Sequence, residues 1–358
     1  KKMRVKTLCI LIIGFLTFSM RAERTDVSNK VLNTGDWEVG FTFTFNPIVG
    51  GESNEGFAIY GYNGNSSSVR IPAGFDVETC YRINHSGPYY VETNFWYASL
   101  GSGIFSGNKN IKSVDFGSHT IISSRCFINC SSLTKISCDS SFTEIGESAF
   151  ENCTSLISVE ILTLSKLGNF AFKGCTGLHN CSIGGDAQIP PGIFEGCSSL
   201  EKLNLLGNMS FSSWTIPGNF RDDFRPPFTG CSKLSEVVLG KGFTKIPGVT
   251  FENLHSLTNV SVTEYLERIE SKAFNGCSSL HHFVSAVRFI GSSAFNGCSS
   301  LESAIIGAAD IGELAFRGCY SLKSVNIRGP GNCVIRNKAF ANLSLLSSLE
   351  GANYIVNI

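Results

Sequence analysis

A motif of about 22 residues recurs along most of this chain and limits the folds that the chain can adopt. A clear copy spans 293–306 and reads SAFNGCSSLESAII. The gaps between successive anchor phenylalanines are 22, 23, 22, 22, 34, 23, 23, 21, 21 and 24 residues. Such a regular period predicts a solenoid, because one coil cannot bury its own apolar side and must stack on its neighbours. The anchors are Phe105, Phe127, Phe150, Phe172, Phe194, Phe228, Phe251, Phe274, Phe295, Phe316 and Phe340.

Within each copy, the spacing of apolar residues predicts two short strands and one turn. An Ile or Leu five residues before the anchor, often followed by Gly or Pro, predicts a short strand that ends in a turn. Ala294, Phe295 and Cys298 have the spacing of a single helical or 3-10 turn. Apolar residues nine and eleven after the anchor, such as Val325 and Ile327, alternate with polar residues and predict a strand with one buried face.

The full pattern, Ile-Gly-x-x-Ala-Phe-x-x-Cys-x-Ser-Leu-x-x-Val-x-Ile, resembles the BspA-like, or Treponema pallidum-type, leucine-rich repeat. The resemblance extends from 57 to the C-terminus, since 57–75 resembles the hairpin that commonly precedes the first repeat. It implies a mainly β leucine-rich-repeat solenoid with short parallel strands, one helical or 3-10 turn per repeat and an N-terminal β cap. It also implies a secreted or surface protein, since several members are adhesins. The family has no fixed catalytic or ligand residues.

The chain is expected to have three parts. Residues 1–22 begin with basic residues and continue in an apolar run, which is the layout of a secretory signal peptide. The run is shorter than the about 20 residues of a membrane span, so we expect export without stable membrane insertion. Residues 23–104 are expected to form an N-terminal β segment and cap, with strands over 37–45 and 57–62; a small separate domain is the alternative. Residues 105–358 are expected to form the array of eleven repeats, with an insertion near 207–227.

The charge of the chain is balanced, with 29 basic and 29 acidic residues. Charged residues make up 16% of the sequence, whereas about 25% is usual for a globular protein. No run of Lys or Arg follows the signal segment. Nucleic acid is therefore not an expected partner.

Most of the fourteen cysteines follow the repeat rather than a disulfide pattern. Eight of them lie three residues after an anchor, where Leu254 and Leu343 stand in two other copies. Equivalent side chains in stacked coils project in parallel, which opposes bridging, so we expect small buried hydrophobic residues. Cys80 and Cys333 remain the candidates for a reactive or pairing thiol. The eight are Cys130, Cys153, Cys175, Cys197, Cys231, Cys277, Cys298 and Cys319.

No constellation in the sequence points to chemistry. The six histidines share no metal-ligand spacing, and adjacent His281 and His282 on one strand would point to opposite faces. There is no Gly-x-Ser-x-Gly, P-loop or CxxC motif. We therefore expect no catalytic, cofactor-binding or metal-binding residues, and no cofactor.

Binding residues are expected on the outward side of the strands and in the insertion. Residues seven, eight and ten after the anchor should face outward, and Val284 and Ile305 are apolar at the tenth position. The insertion carries residue types favoured at interface hot spots. The alternative is that these side chains only cover neighbouring coils or have no binding role. The candidate partner-binding residues are Trp214, Phe220, Arg221, Arg225, Val284 and Ile305.

These features together predict a non-enzymatic recognition protein, adhesin-like and located outside the cell or on its surface. Its expected ligand is a macromolecule bound by the solenoid surface, either a host matrix protein or another cell surface. A glycan-binding module is the first alternative. A hydrolase is the second, although no residues in the sequence support it.

Overall fold

The structure is a computed structural model, and it describes residues 26–31, 37–43, 55–62, 64–71, 74–82, 89–117, 121–137, 142–212, 225–307, 310–328, 333–351 and 354–356. These residues contain 28 strands and no helix. Most of them form a parallel β-solenoid of the leucine-rich-repeat kind, as the repeat predicts. The expected signal segment lies outside the described residues.

A five-stranded mixed sheet precedes the coils. Its order is β1-β5-β6-β3-β2, in which β3 and β6 are parallel and the other neighbours antiparallel. The strands expected over 37–45 and 57–62 are present as β2 and β3. The first six strands are β1 (Asp26–Val31), β2 (Trp37–Phe43), β3 (Glu55–Tyr62), β4 (Ser68–Arg70), β5 (Gly74–Arg82) and β6 (Tyr89–Leu100).

The hairpin expected over 57–75 is not formed. Strand β4 does not pair with β3 and instead pairs in parallel with the first strand of the next coil. The reason is burial, because Val69 and Ile71 join the solenoid core. The Arg70 guanidinium also lies 2.6 Å from the Asp115 carboxylate across this pair. Strand β4 is therefore the first strand of the coiled array.

Each coil contributes two strands, one to each of two faces. Odd-numbered strands from β7, with β4, form the long-strand face, and even-numbered strands from β8 form the short-strand face. All pairs on both faces are parallel. The strands are β7 (Ser113–Asp115), β8 (Ile121–Ile122), β9 (Lys135–Ser137), β10 (Glu144–Ile145), β11 (Ser158–Leu164), β12 (Lys166–Leu167), β13 (Asn180–Gly185), β14 (Gln188–Ile189), β15 (Lys202–Gly207), β16 (Ser210–Phe211), β17 (Glu236–Leu239), β18 (Lys245–Ile246), β19 (Asn259–Ser261), β20 (Arg268–Ile269), β21 (His282–Ser285), β22 (Phe289–Ile290), β23 (Ser303–Ile306), β24 (Asp310–Ile311), β25 (Ser324–Ile327), β26 (Cys333–Ile335), β27 (Ser348–Gly351) and β28 (Tyr354–Val356).

The anchor phenylalanines form a single column of stacked rings through the core. Neighbouring ring centroids lie 4.8 to 6.0 Å apart, and the rings deviate from parallel by at most 14°. Every ring from Phe105 to Phe316 is buried, and Phe340 at the end of the column is half-buried. Because each ring contacts the rings of the coils before and after it, the column joins all eleven anchors into one core.

The turn that carries each anchor is not a helix. Its N–H groups bond to carbonyls three residues earlier, as when Cys130 N–H donates to Phe127 O at 3.0 Å, which is the 3-10 pattern. Left-handed residues lie two positions before and two after the anchor, as at Arg125 (φ 56°) and Asn129 (φ 63°). These residues reverse the chain twice within one turn, so a helix cannot continue.

The cysteine ladder has a role beyond filling space. Each of the eight thiols donates a hydrogen bond to the carbonyl oxygen of the anchor phenylalanine in the preceding coil, over 2.9 to 3.2 Å. All eight are free and buried, which confirms the prediction that they are not bridged. Cys333 is also buried, and burial raises the pKa of its thiol to about 11, so its expected role as a reactive thiol is wrong.

Two prolines interrupt the short-strand face. The residue after a short strand usually donates its N–H to the previous coil, as Gly291 does to Ile269 O at 2.8 Å. Pro190 and Pro247 occupy this position in their coils and have no N–H to donate. Accordingly β14 does not pair with β12, and β18 does not pair with β16.

Loss of one ring from the middle of the column should destabilise the protein strongly. We expect Phe295→Ala to lower the free energy of unfolding by about 3–5 kcal/mol, because it removes both ring contacts and leaves a cavity. Tyr320, which is exposed one coil further on, provides the control. Tyr320→Ala should change the free energy of unfolding by less than about 0.5 kcal/mol. Urea unfolding followed by circular dichroism measures both. Equal effects would contradict the column as the central support.

Alkaline pH should destabilise the protein through its buried thiols. Burial raises the pKa of Cys197 and Cys277 to about 12, whereas an unfolded thiol has a pKa of about 8.5. The contribution of each neutral thiol to the free energy of unfolding is therefore fully present below pH 8.5. It is lost as the pH rises toward 12, by about 1.4 kcal/mol per thiol and pH unit.

Urea unfolding at pH 7.5 and 9.5, with reductant present, measures this loss. The variant Cys197→Ala removes one titrating group and should lose less stability between the two pH values than the unmodified protein. An identical loss in both proteins would contradict the assignment.

Candidate binding surface

Three of the predicted binding residues lie outside the described part of the chain. Trp214, Phe220 and Arg221 all belong to the stretch 213–224. The start of the expected insertion, by contrast, belongs to the coil, since Met209 and Phe211 are buried in the core. At the other end, Phe194 N–H donates to Pro227 O at 3.0 Å. The twelve residues 213–224 account for the extra length of this copy.

Arg225 is exposed at the entry to the turn of its coil. Its Cβ lies beside Gly192 of the previous turn, at 3.5 Å from where a Cβ on that glycine would stand. Val284 and Ile305, by contrast, lie on strands β21 and β23 of the long-strand face. The structure therefore does not join Arg225 to the two aliphatic residues in one surface.

The predicted apolar pair on the long-strand face is formed. Val284 and Ile305 are directly opposite each other in the parallel pair β21–β23. The Val284 side chain is 59% exposed and Ile305 is half-buried. The two outward positions follow from the alternation along each strand, since Phe283 and Ala304 point into the core. We call Val284 and Ile305 the apolar patch.

Polar and charged groups border the apolar patch. His282 Nδ1 lies 3.0 Å from Ser303 Oγ on the neighbouring strand. Lys323 Nζ lies 3.3 Å from Glu302 Oε2, and these two residues directly precede β25 and β23. An apolar centre with a polar rim is the usual anatomy of a protein-binding surface, although this centre is small.

A groove on the same face was missed by the sequence reasoning. No backbone hydrogen bonds pair β9 with β11, and a groove of about 660 Å³ opens between the two strands. Its floor includes the buried side chains of Phe142 and Ile161. Ile157 and Leu162 border it and are 55% and 48% exposed. Residues 138–141, which follow β9, lie outside the described residues.

One sequence signal could have revealed this groove. The seventh residue after the anchor points outward and is Lys, Thr, His, Glu or Ser in ten of the eleven copies. Ile157 is the exception. A single aliphatic residue in an otherwise polar outward column indicates a local change in what that face contacts.

A second groove, of about 420 Å³, lies on the side of the turns, beside Pro226. Phe251 N–H donates to Ala273 O at 2.8 Å, and the other anchors from Phe105 to Phe316 donate likewise to the next coil, but no described group accepts from Phe228 N–H. Leu254 replaces the usual cysteine here, so Phe228 O also receives no thiol bond. The rings of Phe228 and Phe251 nevertheless stack at 5.2 Å. The coils thus separate at the surface while the core stays continuous.

The described residues provide no activated nucleophile and no ligand cluster. Burial raises the pKa of the described ladder thiols for which a shift is resolved, which disfavours the reactive thiolate. Nowhere in the described ranges do three His, Cys, Asp or Glu side chains lie close enough together to hold a metal ion. The described segments also include no helix that is long and apolar enough to cross a bilayer.

The repeats match a family model described as the BspA type leucine rich repeat region, over 98–215 and 225–347. The chain belongs to this family. Members of the BspA-type family are cell-surface proteins and are often adhesin-like or protein-binding. No curated protein matches the chain.

Several solved structures resemble this BspA-type chain. A leucine rich cell surface protein from Faecalibacterium prausnitzii A2-165 is 21% identical over 90% of this chain and 94% of that one, with a TM-score of 0.47. The T. pallidum leucine rich repeat protein is 20% identical over 67% and 87%, with a TM-score of 0.39. The pneumococcal vaccine antigen PcpA is 15% identical over 92% and 99%, with a TM-score of 0.36.

Proposed function

We propose that this BspA-type protein is a non-enzymatic recognition protein, secreted or displayed on the cell surface. It binds a macromolecular partner in the manner of an adhesin, and the partner is a host matrix protein or the surface of another cell. The observation that carries the proposal is the long-strand face, an exposed series of parallel strands that runs along the array. At the spacing of neighbouring strands its length is about 50 Å for eleven coils, which suits a large ligand.

The apolar patch is the proposed contact on this face. Val284 is the most exposed of the large apolar residues in the described chain, and the adjacent Ile305 extends its surface. The surrounding His282, Glu302 and Lys323 supply hydrogen-bonding and charged groups at the rim. Burial of such a centre within a polar rim is how a few residues come to dominate the binding energy of an interface.

A second contact is proposed on the side of the turns. Arg225 is exposed there, and Trp214, Phe220 and Arg221 precede it in the stretch 213–224. Trp and Arg are the residue types most enriched among interface hot spots. Two separate contacts would allow one large partner to be held at two points of the solenoid.

Glycan binding is the second candidate function. Tyr265 and Tyr320 are 53% and 58% exposed. Exposed aromatic rings present flat apolar surfaces with a polar hydroxyl, which suits stacking on sugar rings. This candidate predicts saturable binding to polysaccharide that is lost when both tyrosines are replaced.

Binding to immobilised matrix proteins, mucins and polysaccharides tests the proposal. We expect the protein to bind a matrix protein, and Val284→Ser with Ile305→Ser to weaken that binding about tenfold or more, since the apolar centre is lost. A variant that lacks only 213–224 tests the second contact and leaves the buried residues Met209 and Phe211 in place.

The matched control is Tyr265→Ala with Tyr320→Ala, which leaves the apolar patch intact. It should not affect binding to the matrix protein. If the unmodified protein binds polysaccharide but no matrix protein, and this control loses the polysaccharide binding, glycan capture would replace the proposed function. Absence of binding to every surface would overturn both.

A further inference from the structure

The groove between β9 and β11 is bounded by two unpaired strand edges. Among the described strands, β9 pairs only with β7, and β11 pairs only with β13. The same two coils remain in contact elsewhere, since Phe127 and Phe150 stack at 5.5 Å and β8 pairs with β10. The coils thus separate only on the long-strand face. Each facing edge presents backbone N–H and C=O groups that pair with another strand wherever a sheet continues.

The equivalent backbone groups are paired in most of the coils that follow; between β19 and β21, which do not pair as strands, His281 N–H still lies 3.5 Å from Thr258 O. Glu201 N–H donates to His179 O at 2.9 Å, and Ser235 N–H donates to Glu201 O at 3.0 Å. The next bond toward the N-terminus runs from His179 N–H to Ile157 O at 2.9 Å. The series ends there, because the N–H of Ile157 makes no such bond to the described residues of the coil before it. The groove therefore offers donors and acceptors in the geometry of a strand edge, beside an apolar floor of Phe142 and Ile161.

The outward charges around the groove are also unpaired. Elsewhere on this face, charges on neighbouring strands join in ion pairs, such as Lys202 with Glu236 at 3.0 Å. Lys135 on β9 and Glu160 on β11 line the groove, and neither makes an ion pair within the described chain. The two charges are offset by two residues along the strand direction, because Lys135 is eight residues after its anchor and Glu160 is ten residues after its own.

We propose that an extended peptide segment of a partner protein binds in this groove and hydrogen-bonds to the edges of β9 and β11 that face it. Its sequence has an acidic residue, then an apolar residue, then a basic residue. The segment runs parallel to the strands of this face, as the neighbouring strand pairs on it do, so the acidic residue lies beside Lys135 and the basic residue beside Glu160. The apolar residue between them points to the floor, because side chains alternate along an extended chain.

This mode of binding explains the exposed aliphatic residues at the rim. Ile157 precedes β11 and Leu162 lies within it, so they border both ends of the part that faces the groove. A bound segment that spans this part would lie beside both of them. Peptide recognition by addition of a strand gains affinity from the backbone and specificity from alternate side chains. The inference rests on the proposed recognition function and gives it a ligand class.

Two peptides with blocked termini test the inference. The first, TVEVKVT, has the proposed order of charges, and the second, TVKVEVT, has the same composition with the charges exchanged. Fluorescence polarisation of the labelled peptides should show that the first binds about tenfold more tightly, because cross-strand opposite charges stabilise and like charges destabilise pairing. The preference should weaken as the salt concentration rises.

The double variant Lys135→Glu with Glu160→Lys should reverse this preference. Both side chains are exposed, so the fold should be unaffected. The matched control is Lys202→Glu with Glu236→Lys, which exchanges an ion pair on intact strands of the same face and should leave the preference for TVEVKVT unchanged.

Several results would overturn the inference. These are binding of neither peptide, equal binding of both, a preference for TVKVEVT, or a preference that the double variant leaves unchanged. Self-association of the protein through the groove, detected as a dimer that the double variant abolishes, would assign it to a second copy instead. If the double variant still binds a matrix protein normally while peptide binding fails, the proposed function stands and only the groove assignment falls.

Discussion

The stacking of one apolar column is the constraint on which the rest of this structure depends. A single coil exposes its phenylalanine, its leucine and its inward strand residues unless another coil covers them. The rings from Phe105 to Phe340 meet this need by contacting the next ring in turn. The cysteine beside eight of the eleven rings then satisfies a carbonyl of the previous coil, which a purely apolar residue of that size could not do.

The continuity of this column lets the surface vary. The hydrogen-bond ladders between coils are interrupted at Pro190, at Pro247, between β19 and β21, between β9 and β11, and between the turns of Phe228 and Phe251. The aromatic stack continues through both of the last two sites. A solenoid held by its core can therefore open grooves at its surface without losing its fold, and these grooves supply backbone groups and apolar side chains for recognition.

The sequence predicts what depends on position within one repeat. It identifies the anchors, the inward and outward residues of each strand, the buried thiols and the exposed Val284, because all of these follow from local spacing. It does not predict the left-handed Arg125, since the handedness there is required by the close stacking of neighbouring turns rather than by residue type. The groove beside Ile157 was missed for a similar reason, because a lost hydrogen bond between coils leaves only a faint trace in the sequence.

The exchange rates of single backbone amides test the central claim most directly. The N–H of Phe251 bonds to the next coil, and the N–H of Phe228, in the same position one coil earlier, has no partner among the described residues. Both rings belong to the same column. The account predicts slow hydrogen exchange at Phe251 and fast exchange at Phe228, within a chain that unfolds as a continuous array. Equally slow exchange at both would contradict the interrupted ladder, and equally fast exchange at both would contradict the stacked core.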